Sequence, residues 1–338
     1  MGERFRGRRR LVVVCSRAYR SILVTALVCA ILTGVEAAGA ANKYAGEFLT
    51  HGVGARPLGM GSAFVAVADD VTAGYWNPAG AVDADGRALQ LMHSETFGDV
   101  VNYDTAAFLL PVGSDAAVAV TAVRLGIDDI PFTDFVEDTN GRIIYDETRI
   151  NWESDSESAL LVTYARRPSD DFRIGGNLKL VRKAIASNTC YGFGFDLGAK
   201  YDLWRGATVG ANIQDVTGTV LVWDTKMQER IMPTVKLGVA HRFSMPSMDG
   251  ELTLAADADF RFEDRQLADE YHAGRVSADT HYGLEFTYHD MVGVRGGLAM
   301  GQLTAGAGVT LGGFSVDYAF GKHEYFDSSH RVSASYAF

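Results

Sequence analysis

The stretch CYGFGFDLGAKYDL, Cys190–Leu203, decides how this chain folds. Tyr191, Phe193, Phe195, Leu197, Ala199 and Tyr201 stand at alternate positions, and Gly192, Gly194, Asp196, Gly198, Lys200 and Asp202 fill the gaps. Successive side chains of a β-strand point to opposite faces, so the segment presents one aromatic face and one face of glycine and charge. A helix would need apolar residues three and four apart, and they are not so spaced. A soluble sandwich buries one face of such a strand against a second sheet, and a membrane barrel turns one face to lipid. Alternation alone leaves both open.

Outward from this segment the same period recurs. Five segments precede it, at Arg87–Phe97, Val101–Pro111, Ala116–Gly126, Glu157–Arg166 and Phe172–Lys183. Eight follow, at Ala207–Gln214, Thr234–Phe243, Glu251–Phe262, His281–Tyr288, Met291–Ala299, Leu303–Gly312, Phe314–Phe320 and His330–Phe338. Fourteen strands of this kind make an all-β chain. Connections after even-numbered strands are short, at Val112–Asp115, Arg167–Asp171, Arg205-Gly206, Ser244–Gly250, Asp290 and Gly313. After odd-numbered strands they are long, at Ile127–Ser156, Ala184–Thr189, Asp215–Pro233, Glu263–Thr280 and Gly321–Ser329, with short exceptions at Gly98-Asp99 and Met300–Gln302. Short turns at one end and long loops at the other favour a transmembrane antiparallel barrel over a sandwich.

Residues 1–40 read as an export signal peptide. Arg4, Arg6, Arg8, Arg9, Arg10, Arg17 and Arg20 precede the apolar run Ile22–Val35, and Ala38-Gly39-Ala40 offers a small-residue cleavage site. That run is short for a membrane-spanning helix. Removing the leader takes away seven arginines and two glutamates, leaving 24 basic against 40 acidic residues and a net charge of −16. Such acidity argues against nucleic acid as a partner, because phosphate contacts need Lys and Arg. Only Cys190 remains, so no disulfide framework or thiol metal site is expected. No later apolar stretch is long enough for a membrane helix, which excludes a helical bundle in the membrane but not a barrel.

Between leader and first strand, Gly52–Gly80, GVGARPLGMGSAFVAVADDVTAGYWNPAG, differs in kind. Gly59 and Gly61 permit close approach or positive φ. Asp70 suits the N-cap of a short helix over Val71–Tyr75, and Asn77-Pro78 ends that helix and opens a turn. A strand, one helical turn and a hard turn are too little to be stable alone, so this knob needs a host. The wording AR-x-LGMG-x-AFVAVADD followed by YWNPAG resembles the N-terminal hatch of FadL-like outer-membrane transport proteins, and more specifically the PorV/PorQ family. Pro57 departs from it, where relatives often carry Ala. The resemblance implies an integral protein of the bacterial outer membrane with both mature termini periplasmic. Residues 41–86 would be a hatch, marked by Gly59, Gly61, Asp69, Asp70, Asn77, Pro78, Ala79 and Gly80, and residues 87–338 the barrel.

In hydrocarbon every backbone N–H and C=O must be paired, so an exported β chain spans only as a closed barrel. A barrel of fourteen strands is wider than side chains can fill, so its lumen is plugged or conducts water. The Gly52–Gly80 knob is the natural plug, with the inward Gly192, Gly194, Gly198, Gly306 and Gly308 making room for it. Lys179, Asp196, Lys200, Lys236, Arg242, Asp257, Asp259, Arg261, Glu285, Arg295 and Asp317 also face inward, either as ion pairs holding barrel and plug together or as the lining of a polar path. The chain ends with Val332, Ala334, Tyr336 and Phe338 on one face. Resemblance to outer-membrane barrels implies that the assembly machinery reads this ending.

Other motifs carry less. Gly59-Met60-Gly61 opens like a dinucleotide loop, but Phe64 stands where the third glycine belongs. Asp138-Thr139-Asn140-Gly141 hints at a calcium loop yet lacks its closing glutamate, and Asn140-Gly141 reads as a hairpin turn between Phe135 and Tyr145. The acids Asp128, Asp129, Asp134, Glu137 and Asp138 suit loose divalent-cation binding. The histidines show no metal spacing, and His93 and Ser94 point to opposite faces. No catalytic residue, metal or cofactor is expected, and the chain does not read as an enzyme.

Two functions remain. The FadL-like resemblance implies passage of hydrophobic small molecules across the outer membrane with movement of the hatch, and Val220, Leu221, Val222, Trp223, Met227 and Ile231 form a candidate apolar ligand or docking loop. The PorV/PorQ resemblance implies a docking or shuttle role in a type IX-like protein secretion system, with Ile127–Ser156 as docking surface. The partners expected are outer-membrane lipids, the barrel-assembly machinery, and either a hydrophobic small-molecule ligand or secretion-system proteins.

Overall fold

A computed structural model describes residues 45–96, 100–137, 142–262, 269–322 and 328–338. The leader, the Asp138–Gly141 turn and its calcium-loop reading lie outside the described residues. The strands of the barrel are β1 (Ala88–Thr96), β2 (Val101–Val112), β3 (Ala116–Glu137), β4 (Ile143–Ser169), β5 (Phe172–Ile185), β6 (Asn188–Trp204) and β7 (Ala207–Gln214), followed by β8 (Thr234–Met245), β9 (Gly250–Arg261), β10 (Val276–Tyr288), β11 (Val292–Ala299), β12 (Gln302–Leu311), β13 (Phe314–Gly321) and β14 (Ser329–Ala337). Each pairs antiparallel with its sequence neighbours, and β1 closes the circle on β14 in the register Ala88↔Ala337 to Glu95↔His330. A closed barrel leaves no unpaired edge for lipid to meet. Among the described residues no helix is long and apolar enough to cross a membrane.

The alternation read from Cys190–Leu203 is the wall itself. Tyr191, Phe193, Phe195, Leu197 and Tyr201 are exposed on the outer surface, while Asp196 and Lys200 are buried in the lumen. Leu237, Val239, Leu284, Val294, Leu303, Val309 and Val316 continue the outer apolar surface around the barrel.

Four connections differ from the loops expected, one of them Glu263–Thr280, where Tyr271–Ala273 pairs with Val276–Ala278 at the start of β10. The long loop at Ile127–Ser156 is largely strand: β3 and β4 run on as a hairpin, pairing Phe135 with Tyr145, after β2 has stopped at Ile127 and β5 at Asp155. Its charges hid it from a reading tuned to apolar alternation, because beyond the hydrocarbon neither face of a strand need be apolar. The connection at Ala184–Thr189 is a tight turn, with Ile185 paired to Asn188 and Ala186 at φ +50°. Within Asp215–Pro233 a small hairpin, Thr219–Trp223 with Gln228–Ile231, pairs its first strand with β6 from Cys190 to Phe193 and extends the wall beyond the end of β7.

The C-terminal ending faces outward. Val332, Tyr336 and Phe338 are exposed, and the Phe338 ring stacks on Phe108 with centroids 6.5 Å apart. The Phe338 N–H donates to the Arg87 carbonyl at 2.9 Å, locking the last residue across the closure seam. Deleting Phe338 is expected to lower the yield of folded barrel, seen as loss of the heat-modifiable band on electrophoresis; a normal band would count against a role for this ending.

Residues 45–87 fill the lumen. They contain two short helices, α1 (Ala55–Gly59) and α2 (Ala73–Trp76), and 3₁₀ turns at Glu47–Thr50 and Pro78–Asp83. The strand expected within the hatch is absent; Phe64–Ala68 is turn and irregular chain. Met60, Phe64, Val65, Val67 and Trp76 are nonetheless buried, because the barrel wall surrounds them. The first described residues, Ala45–Thr50, lie in the lumen toward the long-loop end, where Glu47 approaches Arg261 and the Phe48 ring sits under Lys183. The hatch then descends and leaves the lumen at the short-turn end, where β1 begins.

Glycines of the wall let the hatch backbone come close, as expected, though not all of those named do so. A Cβ on Gly210 would stand 2.5 Å from the Val65 carbonyl, and one on Gly175 would stand 2.5 Å from that of Pro78. Gly198 faces Asn77 and Gly306 faces Gly59. Gly192 and Gly194 instead admit Leu221 and Thr219 of the small hairpin, and Gly308 admits the Asp317 and Arg295 side chains. Replacing Gly210 by Val should displace the hatch while leaving the barrel assembled, raising single-channel conductance in planar bilayers. Unchanged conductance of a correctly assembled variant would show that the close approach is dispensable.

Candidate functional site

The hatch carries little regular secondary structure, so those of its backbone groups that its own turns and short helices do not pair need partners from elsewhere. Inward polar side chains of the wall supply them. Asn177 donates to the Gly74 carbonyl at 2.8 Å and Asn212 to that of Trp76 at 2.9 Å. Lys200 donates to the carbonyls of Val67 and Ala68 at 3.0 and 2.8 Å, and Thr304 to that of Gly59 at 3.1 Å. Asp257 accepts the Val65 N–H at 2.8 Å, and a ring nitrogen of His281 meets the Gly61 carbonyl at 2.9 Å.

The Asn77-Pro78 signal does what its chemistry suggests. The Asn77 side chain is fully buried, accepts from the Ala79 N–H at 3.1 Å and so opens the Pro78–Asp83 turn. Its amide donates to the carbonyls of Val65 in the hatch and Ala199 in the wall, at 2.9 and 3.2 Å. Asp70 behaves differently from the expected cap. Helix α2 begins at Ala73, and Asp70 accepts from the Thr72 N–H and hydroxyl, at 2.8 and 2.5 Å, just before it. Carboxylates close such short turns as readily as they cap helices.

Arg56 is the hub that the sequence reading passed over, although it stands inside the AR-x-LGMG wording. Its guanidinium reaches Asp69 at 2.6 Å, Asp70 at 3.0 Å and Glu285 of β10 at 2.7 Å, and lies over the Phe64 ring. Glu285 also holds Arg295 of β11 at 2.7 Å, which holds Asp317 of β13 at 2.6 Å. On the other side Asp69 binds Arg242 of β8 at 2.5 Å. Four strands are thereby joined to the hatch through one chain of ion pairs. Burial pushes the Asp69 carboxyl up, but Arg56 and Arg242 outweigh it and hold it below the usual range.

A second cluster fixes the exit of the hatch. Asp83 pairs with Lys200 at 2.9 Å, Arg167 at 2.8 Å and Arg173 at 2.9 Å. Burial raises the Asp83 pKa, yet the Lys200 and Arg173 charges prevail and keep it ionised at neutral pH. Lys179 with Asp196 and Asp215, Lys236 with Asp259, and Lys183 with Glu157 are further inward pairs. Of the two readings open for the inward charges, ion pairing is what most of them do, and those facing the hatch bind it.

The motif residues are thus brought together as hatch and clasp, with Gly59 and Gly61 against the wall and Ala79 and Gly80 buried in the 3₁₀ turn. The apolar loop is divided. Leu221 is fully buried and Trp223 nearly so, Val222 and Met227 are exposed, and Ile231 packs against Gly46 where the hatch begins. The hatch leaves a cavity on each side. One of about 310 Å³ toward the loop end is lined by Leu49, Tyr75, Trp76, Ile231, Met232 and several charged residues. The other, about 560 Å³ at the short-turn end, is lined chiefly by charged side chains.

The closed fourteen-strand antiparallel barrel matches the fold of the FadL- and TodX-type barrels. The chain is similar to the toluene transporter TbuX of Ralstonia pickettii, with 15% identity and a TM-score of 0.57 over 85% of this chain and 98% of that one. It is similar also to the toluene transporter TodX of Pseudomonas putida (13%, 0.58, 85% and 99%) and to a FadL homologue of Pseudomonas aeruginosa (12%, 0.53, 85% and 98%). At such identity the likeness is one of fold. No protein-family model matches the chain, and no curated protein matches it in sequence.

Replacing Arg56 by Met would leave Glu285, Asp69 and Asp70 without their common cation, a change on the order of 3–5 kcal/mol when one partner of a buried pair is lost. The variant is expected to expose the hatch to proteolysis in detergent while the barrel stays folded. Arg56→Lys keeps the charge but not the fork and should lie between. Protease resistance of Arg56→Met equal to that of the parent would remove Arg56 as the hub.

Proposed function

We propose that this chain is an integral outer-membrane channel that passes hydrophobic small molecules, with the hatch as its gate. The observation that carries the reading is a hatch whose hydrogen bonds to the wall, among the described residues, run through side chains, with the described cysteine free of any disulfide and a cavity on each side. Such a plug can shift without breaking the barrel, since no hydrogen bond between strands depends on it. In this reading the short-turn end with the C-terminus faces the periplasm and the long loops face outward. Ligand enters past the small hairpin, where Val222 and Met227 offer exposed apolar surface and Leu221, Trp223 and Ile231 continue it inward. The fold shared with toluene transporters supports the substrate class, and the motif residues of the hatch take the part of a seal rather than of a ligand site.

The PorV/PorQ resemblance supports a narrower alternative, docking of exported proteins. One observation favours it: the β3–β4 hairpin stands beyond its neighbours and is paired there only with itself. Uptake of labelled toluene by cells expressing the chain, against cells carrying an empty vector, tests the channel. Uptake is expected to rise, and to rise further with the Gly210→Val variant; uptake at the empty-vector level from folded barrel would overturn it. Native mass spectrometry of the gently extracted protein separates the two readings, since a protein-sized adduct would favour docking.

A further inference from the structure

On five neighbouring strands the outer face of the wall turns from apolar to polar at one step. It passes from Leu91 to His93 on β1, from Ala106 to Asp104 on β2 and from Ala122 to Arg124 on β3. On β4 it passes from Leu160 to Ser158, and on β5 from Leu180 to Arg182. Each polar residue pairs across the sheet with the next, His93 with Asp104, Asp104 with Arg124, Arg124 with Ser158 and Ser158 with Arg182. The five apolar residues pair in the same order. A polar row and an apolar row therefore run side by side, where the outer apolar surface ends toward the long loops.

Side-chain size shapes the apolar row. Ala106 and Ala122 stand together at its centre, with Leu91 on one side and Leu160 and Leu180 on the other. One step nearer the short turns the larger Phe108 and Val120 stand out again. The wall is hollow between them, and a cavity of about 900 Å³, open to the outside, is lined by both rows. Such a hollow on a lipid-facing surface is long enough in apolar wall to hold an acyl chain and is bordered on one side by charge.

The border is set up for an anion. Arg124 and Arg182 flank Ser158 on alternate strands, so their backbones stand about 10 Å apart and two long side chains can close on one group between them. Among the described residues no carboxylate pairs with Arg182. Asp104 lies 3.9 Å from Arg124 but is taken up by His93 at 2.7 Å, and Glu95 also leans on His93. A guanidinium at the edge of the hydrocarbon is costly among lipid tails and favourable beside an anionic headgroup, and its fork matches phosphate oxygens. We propose that this hollow binds one phosphate-bearing lipid of the surrounding membrane. Its phosphate sits between Arg124 and Arg182 and accepts from the Ser158 hydroxyl, and an acyl chain lies over Ala106 and Ala122. The site is on the outside of the wall, so it stands whether or not the lumen conducts.

Native mass spectrometry of the full chain released from detergent micelles tests it. The probes are dioleoylphosphatidylglycerol and dioleoylglycerol, which carries the same chains without the phosphate. The phospholipid should be retained more strongly by about tenfold, the scale of two arginines beside an anionic headgroup. Arg124→Met and Arg182→Met together should abolish that preference. Ala122→Leu fills the hollow, leaves both arginines in place and should lower phospholipid retention several-fold. Equal retention of the two lipids overturns the proposal, as does a preference that survives in the double variant. Should the double variant fail to fold, unchanged phospholipid retention by folded Ala122→Leu overturns it equally. Displacement of the phospholipid by millimolar inorganic phosphate would show an anion site without an acyl chain and also overturn it. So would a dimer that resists added lipid and is lost with the arginines, which would assign the face to a second copy of the chain.

Discussion

Buried backbone must be hydrogen-bonded, and in this molecule that requirement acts twice. In the wall it is met by closing fourteen strands on one another, which any suitably alternating sequence can do. In the lumen it is met partly by turns and short helices within the hatch and otherwise by side chains of the wall, because the hatch is too irregular to pair all of its own groups. Asn177, Asn212, Lys200, Asp257, His281 and Thr304 each spend their polar atoms on a particular hatch N–H or carbonyl. The inner face of the barrel is therefore specific in a way the outer face is not. Outside, an exposed Leu303 or Val309 need only be apolar. Inside, a residue must match one atom of the plug.

Electrostatics reinforces this division. A charge in the lumen is costly unless paired, and the chain of Asp317, Arg295, Glu285, Arg56, Asp69 and Arg242 pairs each member with its neighbours. Its net worth to stability is modest by the usual measure of buried ion pairs, but its geometry is demanding. Each side chain has one arrangement that satisfies all its contacts, so the network selects one position of the hatch more than it deepens the well.

How much of this was legible in the sequence follows from what each feature depends on. Alternation needs only residue type at every second position, so all fourteen strands could be read, most of them with ends correct to within a few residues. The β3–β4 extension could not, since outside the hydrocarbon the period fades into charge. The small hairpin of Thr219–Trp223 with Gln228–Ile231 is not legible as strand, because its second strand is only four residues long and carries Gln228, Glu229 and Arg230 in succession, without apolar alternation. In the hatch, Asn77 and Pro78 act locally and their turn was legible, whereas Arg56 depends on carboxylates from Asp69 to Glu285 and no short window contains them. The arginine of AR-x-LGMG was the one available sign of the hub, since an arginine within an otherwise small and apolar stretch must find acids somewhere.

The hatch precedes every strand of the barrel in the chain, yet the groups that hold it belong chiefly to strands from β4 to β14. Nothing can retain it until most of the barrel exists, and Ser333 on the last strand still contributes a contact to Ala55. The hatch is made before the strands that hold it and finds its place only after them. A barrel left open at the seam between β1 and β14 would lack part of the wall against which α1 rests. A correctly lodged hatch thus reports that the wall around it has closed.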